Sequence, residues 1–374
     1  MTEDMVFLLW VLVAWAALYL ASRLADLKRF GVDVKPFLVT KDSPKMREFL
    51  DRLSGWNRRV WLAVFNITTV VAALMMAYAV YFLYVNIQRL VSLVGRPVMV
   101  MPALPGITIH AYWVPYFMAA ALVVILSHEM AHGVAARVHN IPVKSAGVFL
   151  VFVLPGGFVE PDEEKFEKAP VLQKLHVLSA GPVANFVIAL LVFLLLSSCF
   201  AASSGVFVME VAKNSPADAA GIGRWDVIYA INGTPIRSAY DYYVYVNSTV
   251  PGESLLFETN RGVFRVVVWN CSGRACFGIN RYYNFYPLRL GAPPQVSIHA
   301  YLTAYWTFLI SGSAAIFNML PLYPFDGERF LYSIVERLLG RGGKWVRGML
   351  NVVCFSLFLL NMLLSLFRFG FRPI

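Results

Sequence analysis

The chain has 374 residues; 59% are hydrophobic and only 14% charged, with a formal net charge of +10. Soluble chains typically carry about 45–50% apolar and 25% charged residues, so the composition excludes a disordered chain and a nucleic-acid-binding domain and argues against an ordinary soluble enzyme. Mean hydropathy is +0.62, so the excess of Lys and Arg is read as membrane topology, and four cysteines are too few for a disulfide scaffold.

A membrane span needs about 20 mostly apolar residues. Residues 5–22 form a first uncharged run, preceded by the acidic Glu3 and Asp4. A cleaved signal would want a basic front end and a small-residue cleavage site, so an uncleaved span is expected. Further runs lie at 60–88, 111–127 (continuing to 138), 177–200, 298–320 and 349–367. Ten Lys and Arg residues lie between the first two spans, from Arg23 to Arg59, against only Arg89 and Arg96 between the second and third. The first loop is therefore expected in the cytoplasm and the N-terminus outside. Alternation places 144–174 and 328–347 inside, and 201–295 and the C-terminus outside. The lipid bilayer is thus an obligatory partner, and no nucleic acid is expected.

Between the third and fourth spans, 147–155 is apolar but too short to cross, and it runs into Pro155-Gly156-Gly157. A hairpin or re-entrant segment fits, because non-helical backbone at that depth survives only against protein or water. The outer segment 201–295 has a different texture. Short strands are predicted at 205–211, 225–231, 255–259 and 263–269. Turn signals separate them: Asn232-Gly233, Pro251-Gly252 and Asn260-Arg261-Gly262. Ser215-Pro216-Ala217-Asp218 reads as a helix start closed by Gly221. This is a small α+β domain. Cys271 and Cys276, on the outer side, are expected to form a disulfide. Residues 330–339 read as a short amphipathic helix at the inner surface. No internal repeat or low-complexity tract is present.

The sharp chemical signal is His128-Glu129-Met130-Ala131-His132. Positions i and i+4 share a helix face, so both imidazoles can meet one metal ion, and Glu129 can reach water there as general base. Core histidines are the bland alternative. It is weakened because three ionisable groups at the end of an apolar helix each cost several kcal/mol unless compensated. Two His leave a tetrahedral zinc short of one protein ligand. Asp326 is the candidate: it follows the fifth span with no Lys or Arg within two residues, after Pro321 and Pro324 and before Gly327. The prolines interrupt the helix and the glycine permits a tight turn. His110, His139, His176 and His299 are assigned interfacial roles, and Cys199 and Cys354 read as packed apolar residues. The set lacks a Ser-His-Asp or Cys-His arrangement.

On these residues the sequence resembles the site-2 proteases, intramembrane zinc metalloproteases, of the kind that carries a PDZ domain. Three motifs carry the resemblance: His128–His132 inside a span; Gly181-Pro182-x-x-Asn185 opening the next; and Asn318-x-x-Pro321-x-x-Pro324-x-Asp326-Gly327. It covers roughly 111–185 and 301–327. It implies Zn2+ held by His128, His132 and Asp326, with Asn318 and Asn185 in oxyanion or substrate positioning. The outer domain resembles a PDZ domain along 205–211, Ser215-Pro216-Ala217, Ala220-Gly221 and 226–233. Trp225 replaces the usual glycine. The expected peptide-binding loop, Phe277-Gly278-Ile279, comes last, as in circularly permuted members.

The expected fold is a polytopic α-helical membrane protein of about six spans with a re-entrant hairpin and an inserted PDZ-like domain. Residues 1–203 and 293–374 form the membrane domain and 204–292 the extracytoplasmic one. The expected function is hydrolysis of peptide bonds in or near transmembrane segments of membrane protein substrates already trimmed by another protease, with the active site toward the cytoplasm. The 147–157 hairpin is expected to pair with the unwound substrate. Alternatives are a catalytically idle PDZ-bearing binding protein and a non-haem iron enzyme, which would use the same two His and one carboxylate and leave Glu129 without a role. A transporter would show repeats, and none is seen.

Overall fold

The computed structural model describes residues 3–24, 27–92, 95–271 and 273–371. In chain order, α1 (Glu3–Leu24) leads to β1 (Val32–Lys35), β2 (Leu38–Asp42), α2 (Pro44–Ser54) and the long α3 (Arg58–Ser92). Next come α4 (Val114–Val138), β3 (Val143–Val151), β4 (Leu154–Pro161), α5 (Glu163–Lys168) and α6 (Val171–Cys199). Strands and short helices follow: β5 (Gly205–Val211), α7 (Pro216–Ala220), β6 (Val227–Ile231), β7 (Thr234–Pro235), α8 (Ala239–Ser248), β8 (Ser254–Thr259), β9 (Gly262–Val267), β10 (Trp269–Cys271), β11 (Arg274–Cys276) and β12 (Ile279–Phe285). Three helices close the chain: α9 (Pro294–Asn318), α10 (Asp326–Leu339) and α11 (Gly343–Phe369).

Among the described residues, six helices are long and apolar enough to cross a membrane: α1, α3, α4 with the turn before it, α6, α9 and α11. They grow from the six apolar runs. Contacts divide the chain into two compact units, Met1–Leu191 with Trp306–Ile374, and Val192–Tyr305. The expected boundaries at 204 and 292 both lie inside the second unit, which also takes in the last residues of α6 and the first of α9.

In the first unit, polar groups on the long helices bond to one another, as polar residues in apolar surroundings must. Thr68 and Ser179 share a hydrogen bond of 2.8 Å between α3 and α6. The Asn86 amide donates to Asn361 Oδ1 at 2.9 Å, and Asn361 donates to the Leu83 carbonyl at 2.9 Å, joining α3 to α11. Asp4 does similar work at the start of α1. It accepts from the Ala111 N–H at 2.7 Å and pairs with His110 Nδ1 at 2.8 Å, tying α1 to the turn that starts α4.

The hairpin expected at 147–157 is longer and is not alone. β3 and β4 pair antiparallel from Val143–Pro161 to Val151–Leu154, so the turn falls at Phe152 and Val153. Pro155, Gly156 and Gly157 lie in β4, opposite Leu150, Phe149 and Val148. The first loop, read from sequence as a basic connection, supplies two further strands, giving the antiparallel order β1-β2-β3-β4. β3 is therefore covered by β2, and β4, next to α4, has no further strand on its outer edge among the described residues. Trp15 of α1 holds the hairpin tip by donating to the Phe152 carbonyl at 2.7 Å.

The second unit is an antiparallel sheet in the order β12-β5-β6-β8-β9, with β7 on β6. Val206, Val208, Ile228, Ile231, Phe257, Val266 and Phe277 form its core. The predicted helix start forms as α7: Ser215 Oγ accepts from the Asp218 N–H at 3.3 Å, and Gly221 closes the helix at φ 89°. Trp225 adopts φ 74°, the left-handed conformation that a glycine takes without steric cost. Its ring packs on Phe207 and His299. α8 and β12 had no counterpart in the sequence-predicted elements. Cys271 and Cys276 are bonded across the β10–β11 hairpin, with Cα atoms 5.9 Å apart. Intact-mass analysis after alkylation without reductant should therefore find Cys199 and Cys354 modified and Cys271 and Cys276 protected; four alkylated thiols would contradict the bridge.

Candidate metal centre

α4 is apolar except near its C-terminal end, where His128 and His132 project from one face four residues apart. Both are buried. Their Nε2 atoms lie 3.0 Å apart. The third group arrives from a distant part of the chain: Asp326 Oδ2 is 3.1 Å from His128 Nε2 and 3.4 Å from His132 Nε2. Three donors at 2.0–2.1 Å from a tetrahedral zinc stand about 3.3 Å from one another. The observed triangle fits that spacing, and its donor set, two imidazoles and one carboxylate, suits the ion.

Local structure explains how Asp326 gets there. α9 ends at Asn318, residues 319–325 double back, and α10 begins at Asp326. The return is tight: a Cβ on Gly327 would sit 2.3 Å from the Met319 carbonyl oxygen, so only glycine fits after the aspartate. The turn is also anchored to α11. Glu328 is buried and ion-paired with Arg347, whose second nitrogen is 3.0 Å from Oε2. Asn351 Oδ1 accepts from the Tyr323 N–H at 2.7 Å.

α6 backs the two histidines. His132 Nδ1 donates to the Val177 carbonyl at 2.7 Å, which leaves its Nε2 lone pair toward the triangle. Gly181 faces both rings: a Cβ there would lie 2.3 Å from His132 Nε2 and 2.8 Å from His128 Nε2. Asn185 is buried, with its amide 3.2 Å from His128 Nδ1 and 3.3 Å from Ser127 Oγ. Glu129 Oε2 accepts from the Val159 N–H of β4 at 3.2 Å. Asn318 is half-buried at the end of α9.

The other histidines stand apart from the triangle. His139 and His176 bond to each other at 2.9 Å, and His176 Nε2 donates to Asn66 Oδ1 at 3.0 Å. His110 holds Asp4, as above. In the second unit, the Phe277 and Gly278 carbonyls accept from Ala217 and Ala212 at 2.9 and 2.7 Å. The next residue opens β12, whose outer edge has no strand partner among the described residues. The Tyr242 ring of α8 meets Tyr282 of β12 at 4.5 Å. Burial first, and then Tyr282, push the Tyr242 hydroxyl pKa well up, so it stays neutral.

Comparison with known proteins fits this site. The sequence model of peptidase family M50 matches residues 116–361, well over half of the chain and all of the triangle. The chain belongs to peptidase family M50. This is the site-2 protease family that its motifs resemble. An uncharacterized protein of Methanocaldococcus jannaschii is 27% identical, over 92% of this chain and 90% of its own length. A putative zinc metalloprotease of Clostridium perfringens is 28% identical over 40% of this chain and 51% of its own. A membrane-bound transcription factor site-2 protease homolog of Arabidopsis thaliana is 25% identical over 37% and 28%. The chain thus spans only part of the relatives named as proteases. Among solved structures, the PDZ domain of an SdrC-like protein from Listeria monocytogenes is 23% identical, over 21% of this chain and 86% of its own, with a TM-score of 0.19.

Some partners of this site carried no sequence signal: the Val177 carbonyl and the Val159 N–H are backbone groups, and Ser127, Arg347 and Asn351 are unremarkable in their local windows. His132→Ala is expected to lose stoichiometric zinc, read by elemental analysis of the purified protein. Asp326→Asn should hold zinc more weakly than wild type, because a neutral amide replaces the anionic ligand. Full zinc retention in either variant would remove that residue from the ligand set.

Proposed function

We propose that this protein is a zinc-dependent intramembrane endopeptidase that cuts peptide bonds in or beside transmembrane segments of other membrane proteins. The observation that carries the reading is the triangle of His128, His132 and Asp326 set among apolar helices, with Glu129 next to His128. Membership of family M50 and the zinc metalloproteases among its relatives support it. Zinc bound there supplies Lewis-acid polarisation of the scissile carbonyl and lowers the pKa of water.

The chain's own residues do the rest. Glu129 takes a proton from the attacking water and passes one to the leaving amine nitrogen. Asn318 donates its amide to the carbonyl oxygen as negative charge develops there. A helical substrate must first unwind, and β4 offers the unwound segment an edge to pair with. The Val159 N–H lies on that edge, since it bonds to Glu129 and not to β3. A substrate strand that adds to β4 competes for this N–H and so frees Glu129 for proton transfer. Holding the base until the strand is seated limits idle chemistry.

The charge distribution supports an active site toward the cytoplasm, with the termini and the PDZ-like unit on the other side. In that arrangement the PDZ-like unit admits substrates by ectodomain size, and another protease trims them first. Glu129→Gln is expected to keep one zinc per chain and to lower cleavage of a transmembrane substrate by about 10²–10⁴-fold; cleavage within tenfold of wild type would contradict the base assignment. Replacing residues 205–281 with a flexible linker should leave zinc and short-ectodomain cleavage intact and extend cleavage to longer ectodomains. Loss of all cleavage with zinc retained would make the unit a docking site instead.

A further inference from the structure

We propose that Asn185 is a positioning residue of the metal centre. Its side-chain oxygen accepts the Nδ1–H of His128 and thereby leaves the Nε2 lone pair of that ring facing the other two ligands. This rests on the metal-site reading above.

A neutral imidazole has one N–H and one lone pair, on different nitrogens. A metal ligand must present the lone pair, so the proton belongs on the nitrogen that faces away, held by a second group. For His132 that group is the Val177 carbonyl, which can only accept. For His128 the inward nitrogen is Nε2, at 3.0 Å from His132 Nε2 and 3.1 Å from Asp326 Oδ2. Its outward nitrogen, Nδ1, must then carry the proton. The side chain that meets it is the Asn185 amide, at 3.2 Å. Asn185 is 1% exposed, so its amide must find its partners within the protein.

The two ends of a carboxamide have nearly the same shape, and the hydrogen-bond network decides which is oxygen. With nitrogen toward His128, the Nδ1 atom would have to be the acceptor, and the ring proton would point into the triangle. Ser127 Oγ would then face two acceptors, Asn185 Oδ1 at 3.3 Å and the Val124 carbonyl at 3.0 Å, with one hydrogen for both. With the amide turned over, each contact has one donor and one acceptor. His128 Nδ1 donates to the Asn185 oxygen, the Asn185 nitrogen donates to Ser127 Oγ, and Ser127 donates to Val124. The chain of bonds runs from the ligand to the backbone of the helix that carries it.

The spacing on α6 fits the same role. Val177, Gly181 and Asn185 are four residues apart and share one face. The first orients His132, the second leaves room for both rings, and the third orients His128. A packing role for Asn185 would account for its burial but not for a requirement that an acceptor face His128.

The test compares zinc affinity, by chelator competition, in the full-length wild type and in Asn185→Ala, Asn185→Leu and Asn185→Asp, each in lipid nanodiscs. Leu keeps the volume in an apolar setting and stands in if Ala fails to fold. Ala and Leu should bind zinc about 10–100-fold more weakly, and Asp, which keeps an acceptor oxygen, should stay within about threefold of wild type or bind more tightly. The visible spectrum of the cobalt-substituted protein should change in Ala and Leu and be kept in Asp. Asp as weak as Leu, or Leu equal to wild type, overturns the inference while leaving the metal site standing. A wild-type protein that takes up no zinc overturns the metal-site reading and this inference with it.

Discussion

Ionisable groups among apolar helices are costly. Each costs several kcal/mol unless a partner compensates it. Here two imidazoles and a carboxylate meet within 3.4 Å of one another, from helices nearly 200 residues apart in sequence. The proposed zinc is the partner that would turn this arrangement from a liability into a gain. Much of the first unit follows from it. The chain must break after α9 to bring Asp326 back, Gly327 must be small for the return, and Glu328 must be neutralised by Arg347 where the turn lands on α11.

The same constraint shapes α6. Its face toward the histidines carries no bulk at position 181, a carbonyl at 177 and an amide at 185. The outer edge of β4 runs beside α4, and the Val159 N–H reaches the glutamate between His128 and His132. The proposed base and the proposed substrate seating therefore share one backbone group.

Much of this was legible in the sequence, for local reasons. Apolar runs of sufficient length become helices because lipid leaves the backbone no other way to satisfy its hydrogen bonds. His128 and His132 are paired by helix geometry alone. Asp326 stood out through its prolines and its lack of basic neighbours. What escaped depends on distant partners. β1 and β2 are short, charged segments whose pairing is set by β3, about 100 residues away. β12 closes the second unit's sheet against β5, some 70 residues earlier. Nothing in Gly181-Pro182-x-x-Asn185 tells which way the amide points, so its contacts with His128 and Ser127 are visible only once α4 and α6 are packed together.

X-ray absorption at the zinc edge of the purified full-length protein tests the centre most directly. Two imidazole nitrogens with oxygen in the remaining positions, at about 2.0–2.1 Å, are expected from the two histidines and the aspartate. Sulfur at about 2.3 Å, or a single imidazole, would contradict the assignment of His128, His132 and Asp326 as the ligands.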